Sequence, residues 1–171
     1  LKHLQTLRLV NCRVTSAGLK RLAGLRELQT LSLCQSELKD AGLKVLGGLK
    51  QMQSLDVSWT DVSDAGLKVL GGLTQLHSLD VSFSWNERVG DKALKTLAGL
   101  NQLRTLRLDG TAVTDAGLRE LAGLKQLEVL SLSGTKITDV GLKELAALTR
   151  LRWLNLGSPR VTAAGLKELA G

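Results

Sequence analysis

A 24-residue unit written seven times leaves this chain few ways to fold. The copies span 1–24, 25–48, 49–72, 73–99, 100–123, 124–147 and 148–171, and the fourth carries three extra residues. A period of this length marks a solenoid. Each unit is too small to bury its own apolar face, and stacking on its neighbours supplies the missing core. The chain reads as one domain of seven repeats.

Residues 124–147 show how one unit is built. Leu130 and Leu132 alternate with Ser131, the period of a strand with one buried face. Thr138 and Asp139 are good helix-capping residues. Leu142, Leu145 and Ala146 then follow at the spacing of a short amphipathic helix. Gly24, Gly48, Gly72, Gly99 and Gly123 close the helix in most copies and read as C-terminal caps. Each unit is therefore strand, turn, short helix, turn. The strands must pair in parallel at about 4.7–4.9 Å, with the helices outside. About six aliphatic side chains per unit are buried, each contributing roughly 1.5–3 kcal/mol of transfer free energy.

The recurring string LxxLxxLxLxxTxVTDAGLxxLAG resembles the leucine-rich repeat proteins over the whole chain. TDAGLRELAG (114–123), TDVGLKELAA (138–147) and SDAGLKVLGG (63–72) are similar to the bacterial form of the ribonuclease-inhibitor-like class. The resemblance implies an α/β solenoid, a right-handed horseshoe or arc. A parallel sheet would line the concave face and short helices the convex face. It also implies macromolecular binding on the concave sheet and no common activity.

Departures from the consensus are informative. Glycine in the first helical turn (Gly18, Gly42, Gly66, Gly117, Gly141, Gly165) becomes Ala93 in the fourth copy, so the position demands smallness rather than a left-handed backbone. Pro159 replaces the usual Thr in the seventh copy, which suits a strand at a sheet edge. No polar cap is recognisable at either end. The chain starts in phase with the repeat and without Met, so it reads as an excerpt. Further repeats or caps lie beyond it, or the ends associate between molecules.

Composition narrows the function. No apolar run is long enough to span a membrane, and no signal peptide is visible. The formal charge is +7. Much of the surplus is one basic column: Lys20, Lys44, Lys68, Lys95, Arg119, Lys143 and Lys167. It reads as a solvated helix face. Without aromatic residues beside it, no nucleic acid is expected as a partner. Cys12 and Cys34 fall in different phases of the repeat and are expected as free thiols, Cys12 buried and Cys34 on the inner face. The lack of a disulfide framework or glycosylation sequon favours a reducing, cytoplasmic setting.

The inner face is where copies differ. Next to the core leucines it reads Arg8, Ser32, Asp56, Asp80, Arg107, Ser131 and Asn155. Two positions on it reads Val10, Cys34, Ser58, Ser82, Asp109, Ser133 and Gly157. The following column reads Asn11, Gln35, Trp59, Phe83, Gly110, Gly134 and Ser158. Copies three and four place Trp59 against Phe83, with Trp85, Asn86, Glu87 and Arg88 on the inserted rim. Asp56 and Asp80 sit below them, and Arg107 and Asp109 flank them. This patch is the candidate binding site: Asp56, Ser58, Trp59, Asp80, Ser82, Phe83, Trp85, Asn86, Arg88, Arg107 and Asp109. Aromatic and Arg side chains dominate binding hot spots. Trp153 is expected to pack beneath a further repeat.

Catalysis finds no constellation. Asp56 and Asp80 lie about 5 Å apart, the spacing of retaining glycosidases, but an open sheet leaves both solvated and unable to hold a raised pKa. His3 and His77 lack partners at zinc spacing and read as exposed polar residues. No phosphate loop, metal site or cofactor is expected. The reading is a non-catalytic scaffold that binds a protein or peptide on its concave face. A carbohydrate module using Trp59, Phe83 and Trp85, or a structural spacer, is the alternative.

Overall fold

The computed structural model describes residues 1–83 and 88–169. Each copy contributes one three-residue strand: β1 (Thr6–Arg8), β2 (Thr30–Ser32), β3 (Ser54–Asp56), β4 (Ser78–Asp80), β5 (Thr105–Arg107), β6 (Val129–Ser131) and β7 (Trp153–Asn155). They form one parallel sheet in chain order. Equivalent residues pair throughout, including Asp56 with Asp80 and Asp80 with Arg107. The three extra residues of the fourth copy are therefore absorbed outside the strands.

Helices alternate with the strands: α1 (Ser16–Leu19), α2 (Asp40–Leu46), α3 (Asp64–Leu67), α4 (Asp91–Leu97), α5 (Asp115–Leu121) and α6 (Asp139–Leu142). After α1, α3 and α6 the chain continues as 3-10 turns, Lys20–Gly24, Lys68–Gly72 and Lys143–Ala147, and the seventh copy has a 3-10 turn at Gly165–Leu169. Thr15, Ser63, Thr114 and Thr138 cap their helices, accepting from a backbone N–H of the first turn. The glycines that follow the helices do not adopt the left-handed conformation expected of caps; that conformation is found at the strand ends instead. The helix ends close by tight bonds such as Leu25 N–H to Leu22 O and Leu49 N–H to Leu46 O.

The core is a stack of leucines between sheet and helices, with Leu31, Leu55, Leu79, Leu106 and Leu130 almost wholly buried. Strands pack at about 4.7–4.9 Å and helices at about 8–10 Å. A wedge of that kind curves with the sheet inside. Ser36, Thr60, Thr111 and Thr135 donate their hydroxyls to the carbonyl three residues earlier. Pro159 takes this position in the copy of β7, the last strand of the sheet.

A second set of inter-copy bonds runs along the helix starts. Asp40 accepts from the Ser63 N–H (2.8 Å) and hydroxyl (2.6 Å) of the next copy. Asp91 holds Thr114 in this way, Asp115 holds Thr138, and Asp139 holds Thr162. Asp64 of the third copy accepts instead from the Gly90 and Ala93 N–H groups of the fourth. The first-turn glycine packs on this carboxylate: a Cβ on Gly66, Gly117, Gly141 or Gly165 would collide with it. Smallness is thus the requirement at that column. The Thr162 hydroxyl and N–H also hold the Asp139 carboxyl below the usual carboxylate range. That contribution to stability is present above the unfolded pKa and is lost as pH falls through the folded value.

Candidate functional site

The inner face is built from strand residues that point away from the core. Asp56 and Asp80 lie side by side on β3 and β4. Neither is simply solvated, contrary to expectation for an open sheet: both are half-buried between close strands. Asp56 accepts from the Ser32 hydroxyl (2.8 Å), the Ser58 hydroxyl (2.6 Å) and the Ser58 N–H (3.1 Å). Asp80 accepts from the Ser82 N–H (2.9 Å). Burial pushes the Asp80 carboxyl above its ordinary value. The Asp56 charge adds to the rise, against hydrogen bonds from Ser82 and the Arg107 charge. A raised folded pKa means that the folded state binds more protons, so this group's contribution falls as pH rises through the window above the ordinary carboxylate value. Asp80→Asn is expected to flatten that part of the stability profile, measured by urea unfolding at pH values from about 3.5 to 7. A profile parallel to that of the native chain would contradict the assignment.

Three expected contact residues lie beneath this surface. Ser58, Ser82 and Asp109 are buried, at 6%, 4% and 8% exposure. Asp109 accepts from the Ser131 hydroxyl (2.6 Å), the Ser133 N–H (2.9 Å) and the Ser82 hydroxyl (3.3 Å). The cause is the turn that follows, which folds over this column.

That turn was not legible as a turn. Asn11, Gln35, Trp59 and Phe83 all have positive φ, between 53° and 56°, as do Gly110 and Gly134. The next copy locks each one: Trp59 N–H donates to Ser82 O (3.0 Å), Phe83 N–H to Asp109 O (2.6 Å) and Gly110 N–H to Ser133 O (2.7 Å). Asn and Gly in one column were the available signal, since both tolerate the left-handed region. Trp59 and Phe83 stack with ring centroids 4.6 Å apart at 22°. The Phe83 ring in turn lies over Gly110, where a Cβ would collide with it. Both aromatics remain about two-fifths exposed, at 40% and 41%.

The rim is shared. Trp85 and Asn86 lie outside the described residues. Arg88 donates to Asp61 at 2.7 Å, and Lys39 stands 3.9 Å from the same carboxylate. Between copies one and two the helix-start ladder is missing, because Ser16 replaces Asp and Lys39 replaces the capping hydroxyl. The N-terminus of α2 accordingly has no side-chain cap. A groove of about 910 Å³ opens there, lined among others by Thr15, Ser16, Gln35, Lys39 and Trp59.

At the far end of the inner face, Arg107 lies 5.4 Å from the centroid of the Trp153 ring. Trp153 is 44% exposed. His3 is exposed and 2.9 Å from Glu27. His77 is not the exposed residue expected; its Nδ1 is buried without a hydrogen-bond partner among the described residues. Among the described residues Cys12 and Cys34 are free thiols, both half-buried. Among the described residues no group of three His, Cys, Asp or Glu could hold a metal ion, and no helix is long and apolar enough to cross a membrane.

A leucine rich repeat family model matches residues 101–160, and a second matches 1–23 and 51–71. Internalin C2 from Listeria monocytogenes is 31% identical, covering 84% of this chain and 56% of its own, with a TM-score of 0.69. Another internalin of that species is 21% identical over 91% of this chain and 48% of its own, with a TM-score of 0.62. The plant peptide hormone receptor RGFR1 in complex with RGF2 is 18% identical over 91% of this chain and 25% of its own, also at 0.62. The chain therefore spans about half the length of these internalins. No curated protein matches it. Seven parallel strands in one open sheet, alternating with short helices, define a solenoid. The chain belongs to the leucine-rich repeat proteins.

Proposed function

We propose that this chain is a non-catalytic recognition scaffold that holds a protein or peptide partner on its concave face. The left-handed aromatic pair carries the reading. Copies five and six fill the same turn with Gly110 and Gly134, which take that backbone without strain, while copies one and two hold the smaller polar Asn11 and Gln35 there. A bulky residue there costs about 1–2 kcal/mol. Copies three and four accept this cost twice to present Trp59 and Phe83 side by side, and strain of this kind concentrates at functional sites. The partner would meet the aromatic pair as an anchor, with Asp56 and Asp80 toward its basic groups and Arg107 toward its acidic ones. Trp59 also walls the rim groove, so the contact area runs from the sheet onto the rim. A protein of this fold is a peptide hormone receptor in complex with RGF2, in keeping with such a partner.

The test is a double Trp59→Gly, Phe83→Gly variant, which copies the neighbouring turns. Relief of the left-handed strain offsets loss of the stack, so thermal stability should stay close to native. Used as bait in a lysate beside the native chain, the variant should lose partners that the native chain retains, with affinity down at least about thirtyfold. Identical partners on both baits would overturn the reading, as would capture of none by either.

A further inference from the structure

The helical face carries a charge asymmetry that the concave site does not use. Lys20, Arg21, Lys44, Lys68, Lys92 and Lys95 are all exposed on the helical segments of copies one to four. Among the described residues none of the six makes an ion pair. The acids of these segments, Asp40, Asp64 and Asp91, are half-buried at the helix starts and bonded to the next copy. Copies five to seven differ. There Glu120, Glu144 and Glu168 directly follow Arg119, Lys143 and Lys167, and Arg119 bonds Glu144 at 3.2 Å. The column after the conserved cation thus runs Arg21, Val45, Val69, Thr96, Glu120, Glu144, Glu168. One half of the convex face is basic and the other is self-neutralised.

We infer that the convex face of copies one to four is a second interaction surface, which takes an acidic polypeptide segment. The inference is independent of the concave-face reading. Three observations favour a peptide over other polyanions. The helical segments hold no aromatic residue to stack on bases. Five of the six cations are Lys, point charges without the planar fork that reads phosphate in pairs. The stripe advances by one cation per helix, about 8–10 Å. A peptide in the polyproline II conformation has three residues per turn at about 3.1 Å rise, which puts every third side chain on one face about 9 Å apart. Duplex DNA crowds one charge into about 1.7 Å of axis, and a flat bilayer meets only part of a convex arc.

The probe is end-labelled poly-L-glutamate, titrated into the native chain at low and moderate salt. Two triple variants of equal net charge are compared: Lys44→Glu, Lys68→Glu, Lys95→Glu on the basic half, and Arg119→Glu, Lys143→Glu, Lys167→Glu on the neutral half. Lys→Gln and Arg→Gln sets at the same positions replace any set that fails a thermal-unfolding check. The native chain should bind with an affinity that falls as salt rises. The basic-half variant should lose at least about tenfold, and the neutral-half variant should stay near native. Equal losses in both variants would reduce the effect to net charge and overturn the inference. So would no binding, or tighter binding of duplex DNA or phosphatidylserine vesicles than of polyglutamate.

Discussion

Gly141→Ala is expected to destabilise the chain by about 2–4 kcal/mol, while Gly123→Ala leaves stability unchanged or raises it by up to about 1 kcal/mol. The two sites differ in what the new methyl group would meet. A Cβ on Gly141 would collide with the Asp115 carboxylate, which holds the Thr138 N–H and hydroxyl at 2.8 and 2.7 Å. The methyl must displace that carboxylate, and charge-assisted bonds contribute about 1.5–3 kcal/mol each. A Cβ on Gly123 meets nothing within 4 Å, and Ala there gives the unfolded chain less conformational freedom to lose. Urea-unfolding midpoints of both variants decide the matter. The Asp115→Ala background adds a check. If the clash is with the carboxylate, the double variant loses less than the sum of the two single ones. Additive losses, or a Gly141→Ala variant as stable as native, would remove the ladder from the account of stability.

Asp109→Ala should be the other large effect, a loss of about 3–5 kcal/mol. Asp109 is buried and accepts from the Ser131 hydroxyl of β6, the Ser133 N–H just after β6 and the Ser82 hydroxyl just after β4. Alanine leaves these donors without an acceptor in a site that water cannot fill without opening the turn. Asp109→Asn keeps one acceptor oxygen and the side-chain shape, so about half of the loss is expected. Hydrogen exchange at the Ser133 amide should rise with the loss. A change below about 1 kcal/mol in Asp109→Ala would mean that the carboxylate is not a structural tie, and would return it to the partner-contacting surface.

The two predictions also mark where reading the sequence stopped. Parallel pairing, the leucine stack and the side-by-side placement of Asp56 with Asp80 followed from the period alone, because equal repeats can only stack in register. The adjacency of Trp59 and Phe83 followed in the same way. The helix-start aspartates were visible as capping residues, yet their partners lie one copy on, at separations of 23 to 29 residues where local capping rules do not look. Burial of Ser58, Ser82 and Asp109 was hidden for a related reason. Strand alternation assigns them to the inner face, and only the left-handed turn that follows, held by carbonyls of the next copy, folds over them.

Arg107, two strands from Trp153, lies 5.4 Å from the centroid of its ring, a contact between copies that no single repeat encodes. Repetition by itself determined the solenoid, the register, the core and the list of variable inner-face positions, since each depends only on period and polarity. Tertiary structure alone decided which of those positions are exposed. Exposure depends on turn conformation and on bonds between copies, and neither is encoded within one 24-residue unit.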